Sequence, residues 1–487
     1  MVTGHDPTEA ESELAAGGRF HFIQVRGPDD ARDGGASRVA RSHAVKQSLE
    51  KKRKLQKESR NNFRVVTLND RPGAKRKRTA TPAAPLLSPS AGALDPFQSL
   101  SVDSSKLQAL LGNRNAWQAS EPVFSCAEDL AFHSFRAVFG TGLADPALLS
   151  AVMLSLAFEA TGGSIDRECL DYKGQAISRI RERMGSPREA VSESTIGAIL
   201  LLTGVEARLG MTSQVQLHMR AVRQLLAICK ARGVHVTAGI KRAVFWQDLN
   251  SSILTGSRRI ASHTTFPELQ WTRSKFSPDS LRLSPGFRSR AHLLTPELTE
   301  VLEDIQALQY IREVPFFSDG DVELMESINN QIASIQSRLA SLVDLSPMQE
   351  CCRLAAYLSS VMLCCTPWCV HVIIPHISSR LLRELLQAHK DPAWDKNPEL
   401  LLWILYMGGA FSPQGIIRAG YVVLLRSNHA PRFGGLYNAW PELLAILRQF
   451  TWSDKAFMAQ VKALWEEVFS PISPPGGPGG GGPAPVA

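Results

Sequence analysis

Cys364, Cys365, Cys369, His371 and His376 are the one close group of thiols and imidazoles in the chain, so metal or thiol chemistry would begin there. Zinc sites bring thiolate and imidazole ligands together through paired spacings such as C-x-x-C on a turn. These five instead fall within or beside the uncharged run of residues 354–379. In such a run a thiol is expected to pack as a small apolar group and an imidazole as a core residue. A metal-dependent enzyme built on Cys369 and His371 is kept as a third reading. His218 and Asp248 offer an imidazole and a carboxylate for proton transfer, but no nucleophile accompanies them. A lone helical His is expected to be a structural hydrogen-bonding group. The G-x-x-x-x-G-K phosphate loop, the G-x-S-x-G elbow and the H-E-x-x-H zinc helix do not occur. We therefore expect no catalytic site, no metal and no cofactor.

Charge forms a clearer pattern. Residues 38–78 hold fifteen Lys or Arg against Glu50, Glu58 and Asp70, and residues 1–78 together carry the whole net charge of +8. Everything after them is balanced. Lys51, Lys52, Arg53 and Lys54 form one cluster, and Lys75, Arg76, Lys77 and Arg78 a second. Each suits the acidic grooves of a nuclear import carrier. Direct contact with nucleic-acid phosphates is the second reading, favoured by counterion release but blind to sequence. A merely solvated arm is the third. Base readout is not expected, because the Asn/Ala/Ala/Ser/Arg pattern of a leucine-zipper basic region is missing and no heptads follow Arg60.

The start of the chain lacks the basic and apolar regions of an export signal. On that ground Asn250-Ser251-Ser252 is a chance glycosylation match. Eight cysteines in 487 residues, including the adjacent pairs Cys351-Cys352 and Cys364-Cys365, suit reduced thiols. Residues 354–379 are long enough to span a bilayer, but Pro367, Pro375, His371 and His376 argue for two buried helices divided at a proline. No membrane contact is expected.

These groups need a scaffold, and the spacing of apolar residues predicts an all-α one. Residues 1–36 are polar apart from the strand-like Phe20-His21-Phe22-Ile23-Gln24-Val25, and residues 37–98 form a basic arm and Pro-rich linker. A solvated helix is plausible over residues 37–60, whose apolar positions are too sparse to cover a core. Two helical halves follow, at 99–256 and 295–470, joined by a basic irregular connection at 257–294; residues 471–487 are a Gly/Pro-rich tail. Ser186-Pro187-Arg188-Glu189 and Ser346-Pro347-Met348-Gln349 read as capping boxes with Pro at the first helical position, and Thr295-Pro296 opens another helix. Val215, Met219, Val222, Leu225, Leu226 and Cys229 share one side of a helix that should stop at Gly233. Phe457, Val461, Leu464, Trp465 and Val468 line the last helix. Met325, Ile328, Ile332, Ile335, Leu339 and Leu342 follow a coiled-coil spacing too short for more than an internal hairpin, with homodimer pairing as the alternative.

Several of these strings resemble the middle-homology region of fungal-specific transcription factors. His218-Met219-Arg220-Ala221-Val222-Arg223-Gln224-Leu225-Leu226, then Ala231-Arg232-Gly233-Val234, then Val244-Phe245-Trp246-Gln247-Asp248-Leu249 are similar to that family's His-led helix, Arg-Gly-Gly turn and Trp/Asp helix. Leu402-Trp403-Ile404-Leu405-Tyr406-Met407-Gly408-Gly409-Ala410, Trp440, Thr451-Trp452-Ser453 and Leu464-Trp465 extend the likeness to about residue 469. Residues 20–54, with Arg41-Ser42-His43-Ala44-Val45 before the basic run, are similar to a fungal subgroup that carries this region without a zinc binuclear cluster. Departures from the family pattern bar DNA binding from being carried over: no cysteine precedes Cys126, and no C-x-x-C occurs. Val234 stands at the usual second glycine, and Ala221 at the glycine after the His.

The resemblance implies a multi-helix regulatory domain in which His218, Arg232, Gly233, Trp246 and Asp248 are motif positions of structural weight. It also implies a nuclear regulator that acts through protein partners in transcription or a DNA-bound dimer. A cytosolic helical scaffold or small-molecule sensor, with an arm that touches RNA or acidic proteins, is the alternative.

Overall fold

The computed structural model describes residues 100–116, 119, 145–273, 279–313, 322–363 and 370–470. The strand-like residues 20–25, the helix anticipated over 37–60, both basic clusters, the linker, the tail, and Cys364, Cys365 and Cys369 lie outside the described residues. The chain divides into two units, Met1–Pro85 and Leu86–Ala487, and every described residue belongs to the second.

Among the described residues the regular structure is helical throughout, as the spacing of apolar residues predicted. In chain order the helices are α1 (Ser104–Gly112), α2 (Pro146–Ala160), α3 (Arg167–Met184), α4 (Pro187–Ala190), α5 (Glu193–Arg208), α6 (Thr212–Arg232) and α7 (Ala238–Thr255). They continue as α8 (Pro285–Arg288), α9 (Pro296–Glu313), α10 (Val322–Ser341), α11 (Pro347–Leu363), α12 (Val370–Ala388), α13 (Pro398–Phe411), α14 (Ile416–His429), α15 (Trp440–Leu447) and α16 (Asp454–Phe469).

Three of these helices, α2, α5 and α13, are buried on nearly every side, and helices of that kind sit inside the core. In α5 every residue from 195 to 207 is buried, and in α13 every residue from 400 to 411. α2, α3, α6 and α7 pack around α5, while α11, α12, α14, α15 and α16 pack around α13. α7 reaches α10 and α12, so one hydrophobic core runs through both groups. At about 1.5–3 kcal/mol for each fully buried Leu, Ile or Val, the two central helices, α5 and α13, contribute heavily to stability.

Helix starts follow their capping chemistry. Ser346 and Gln349 close a reciprocal box, Gln349 N–H donating to Ser346 Oγ at 3.4 Å and Ser346 N–H to Gln349 Oε1 at 2.9 Å. Thr295 Oγ1 accepts from the Leu298 amide at 3.2 Å. Ser186 differs from expectation: α4 does start at Pro187, but it lasts four residues and its side chain makes no capping bond. The inner side of α6 is buried at Val215, Met219, Val222, Leu225 and Cys229. The seam of α10 is filled from within, with Ile328, Ile332, Ile335 and Leu339 packed into the core against α7, α9 and α11. Of the apolar run at 354–379, residues 354–363 belong to α11 and residues 370–379 to α12, which carries Pro375 inside it; residues 364–369 lie outside the described residues. No helix among the described residues is long and apolar enough to cross a membrane.

Candidate functional site

The five motif residues fall in three pinned junctions. His218 leaves α6 toward α5, where its Nε2 lies 2.9 Å from Glu206 Oε2, and Lys173 Nζ on α3 lies 2.9 Å from Glu206 Oε1. Glu206 is 1% exposed, and an unpaired carboxylate at that depth would cost several kcal/mol. Burial pushes its carboxyl up, but the imidazole and ammonium outweigh burial and hold it below the ordinary carboxylate value. Glu206 therefore joins α3, α5 and α6.

At the other end of α6, Arg232 Nη1 donates to the Pro187 carbonyl at 3.1 Å and fastens the helix to the start of α4. Gly233 follows with φ of 66°, a left-handed residue that Gly adopts without a Cβ clash. Its N–H reaches Lys230 O at 3.3 Å and that of Val234 reaches Cys229 O at 2.9 Å, which together satisfy the last free carbonyls of the helix. Val234 itself has no positive φ, so the turn works without the second glycine.

On α7, Trp246 is buried edge-on against Phe245, with ring centroids 5.1 Å apart. Asp248, 2% exposed, accepts from the amides of Ile260 at 2.9 Å and Ala261 at 3.1 Å, and from Arg259 Nε at 3.3 Å. Burial pushes its carboxyl above the ordinary value, against the pull of those donors. Arg259 continues the chain of contacts to Ser337 on α10 at 2.8 Å and lies 5.4 Å over the Phe245 ring. Asp248 thus folds the chain after α7 back onto that helix. His218 and Asp248 have separate partners, and the structure does not bring them together as a proton-transfer pair.

A cavity of about 530 Å³ opens where the ends of α2, α5 and α7 meet the start of α12. Phe158, Glu159, Arg208 and Leu254 form one side, and His371 and His376 the other. Arg208 pairs with Glu159 and lies 4.6 Å over the Phe158 ring. Burial, reinforced by Arg380 and Arg383, pushes the His376 imidazole below its ordinary value, against a hydrogen bond to the Ile253 backbone. The volume suits a small organic molecule.

The sequence matches the model of the fungal specific transcription factor domain over residues 122–388. The chain belongs to that family. No curated protein and no solved structure matches it. A fungal specific transcription factor domain makes the chain a transcriptional regulator, from a family of transcription factors rather than of enzymes and with a nuclear role in general. The match ends at the last residue of α12, and α13 packs directly on α11 and α12 in the same core.

The described thiols do not fit the zinc cluster associated with this family. Cys169, Cys229, Cys351 and Cys352 are buried and free, on three different helices. Burial holds the Cys169 thiol up at about 11 and that of Cys352 at about 12, which leaves them protonated. Among the described residues no three His, Cys, Asp or Glu side chains are placed to hold a metal ion.

Three residues central to these junctions escaped sequence reasoning. Glu206 left a signal, since it is the one charged residue among residues 195–207 of α5. Arg242, 3% exposed, stands in an ordinary-looking helix start yet clamps α7 to α10 through Asn329, Asn330 and Glu326. Arg259 lies in irregular chain, where no period marks it.

Proposed function

We propose that this chain is a nuclear transcriptional regulator whose helical body engages protein partners or a DNA-bound dimer, without a zinc-cluster reader within these 487 residues. The observation that carries the reading is the family match over residues 122–388 in a body whose charge sums to zero, while residues 1–78 hold all of the net charge. Lys51, Lys52, Arg53 and Lys54, with Lys75, Arg76, Lys77 and Arg78, are the address read by the import carrier. Nucleic-acid contact through the same arm adds affinity but no sequence choice.

A fluorescent fusion tests the address. The intact protein is expected in the nucleus, and changing both clusters to Ala is expected to move it to the cytosol; a variant that stays nuclear removes the assignment. Chromatin crosslinking of the tagged protein, with and without residues 1–80, tests recruitment. Enrichment that survives the deletion supports partners, and enrichment that vanishes in permeabilised nuclei supplied with the truncated protein assigns contact to the arm. Cytosolic fluorescence of the intact chain would favour the scaffold reading instead.

A further inference from the structure

The outer face of α6 is built unlike a solvated helix surface. Its 21 residues include Arg220, Arg223, Lys230 and Arg232 and no carboxylate. Surface helices usually interleave both signs, because opposite charges three or four residues apart stabilise them and like charges do the reverse. Here Arg220 and Arg223 are like charges at that spacing. The side chains of Arg220, Arg223 and Lys230 make no ion pair or hydrogen bond among the described residues.

Two aliphatic side chains share the face with the cations. Leu217 is 64% exposed and Ile228 38% exposed, although the inner side of the same helix is already packed on α5. With 3.6 residues per turn, Leu217, Arg220, Gln224, Ile228 and Ala231 run down one stripe, and Arg223 and Lys230 lie along one edge of it.

We infer that the α6 face docks an amphipathic acidic helix of a partner protein, its aliphatic side on Leu217 and Ile228 and its carboxylates on Arg220, Arg223 and Lys230. The inference rests on the reading that the body works through protein partners, and names the chemistry of one. Charge complementarity selects an acidic occupant, and the two exposed aliphatic residues within the stripe select a helix over duplex DNA, whose phosphates would want cations or polar donors there.

The purified full-length chain provides the test, by fluorescence anisotropy with a labelled synthetic helix about 20 residues long carrying Leu at i, i+3, i+4 and i+7 and Glu on both flanks. The wild type is expected to bind it at least about tenfold more tightly than a scrambled peptide of the same composition. The triple variant Arg220→Glu, Arg223→Glu, Lys230→Glu should lose at least about tenfold, and should bind instead a peptide with Lys in place of Glu. Leu217→Ser with Ile228→Ser should weaken binding without changing charge. All substituted side chains are exposed, and circular dichroism checks that the variants are folded. No binding to the wild type, equal binding of the scrambled peptide, or binding unchanged in either variant overturns the inference. So does capture of duplex DNA, lost in the triple variant, in place of the peptide. The import clusters are untouched throughout, so failure here leaves the nuclear assignment standing.

Discussion

At Glu206, two cations from different helices meet one buried carboxylate, and the direction of its titration sets a prediction. Its folded-state pKa lies below the ordinary 4.5, so its contribution to stability is present above that pH and is lost as pH falls through the folded value. Glu206→Gln should remove that share: urea midpoints of variant and wild type should lie well apart at neutral pH and converge in acid. A constant gap across the pH series would show that the carboxylate's charge carries none of it. Asp248 titrates with the opposite sign, because burial raises it and protonation favours the folded chain in the window just above the ordinary 3.8. His218 and Asp248 stood out in the sequence as positions, but their partners did not. Glu206 is 12 residues from His218 and Arg259 is 11 from Asp248, and no local spacing rule pairs them.

Helices were the most legible level, since starts, stops and inner faces depend on residues within a few positions of one another. The Ser346 box and the Gly233 stop are read from their own neighbours. The Gly408-Gly409 pair in α13 is different, because its reason lies in another helix. A Cβ on Gly408 would sit 2.5 Å from the Tyr421 ring, and one on Gly409 would sit 2.7 Å from Leu464 Cδ2. Tyr421 Oη donates to Ser378 O at 2.7 Å and Ser378 Oγ to Gly408 O at 2.9 Å, which locks α12, α13 and α14 together at this close approach. Gly408→Ala gains about 1 kcal/mol in helix propensity but costs about 1–3 kcal/mol in overpacking, and the displaced bonds add to the loss. Its melting temperature should fall. Gly174→Ala in α3, where a Cβ meets nothing within 4 Å, should raise it instead.

Across the whole described body, the helices around α5 and those around α13 share one core, and Arg242 ties α7 to α10 within it. Its guanidinium donates to Asn329, Asn330, Glu326 and the Glu268 carbonyl at 2.5–3.0 Å. Arg242→Ala strands these acceptors and should lower stability by about 1–3 kcal/mol. Limited proteolysis should then cut sooner within residues 257–273, which this clamp holds against α10; an unchanged cleavage rate would place the link elsewhere.

The sequence by itself determined the helical class, the starts of α4, α9 and α11, the Gly233 stop and buried face of α6, and the segregation of charge into residues 1–78. Each of these depends on period, capping chemistry or composition within a short window, while the likeness to fungal transcription factors rests on the order and spacing of several such strings. Only the tertiary structure decided which charges are buried and with whom, why α13 needs two adjacent glycines, and which cations of α6 are left without partners. Those outcomes join residues as far apart as Arg242 and Asn330, 88 positions along the chain, and distance in sequence carries no information about which of many possible partners a fold will bring close.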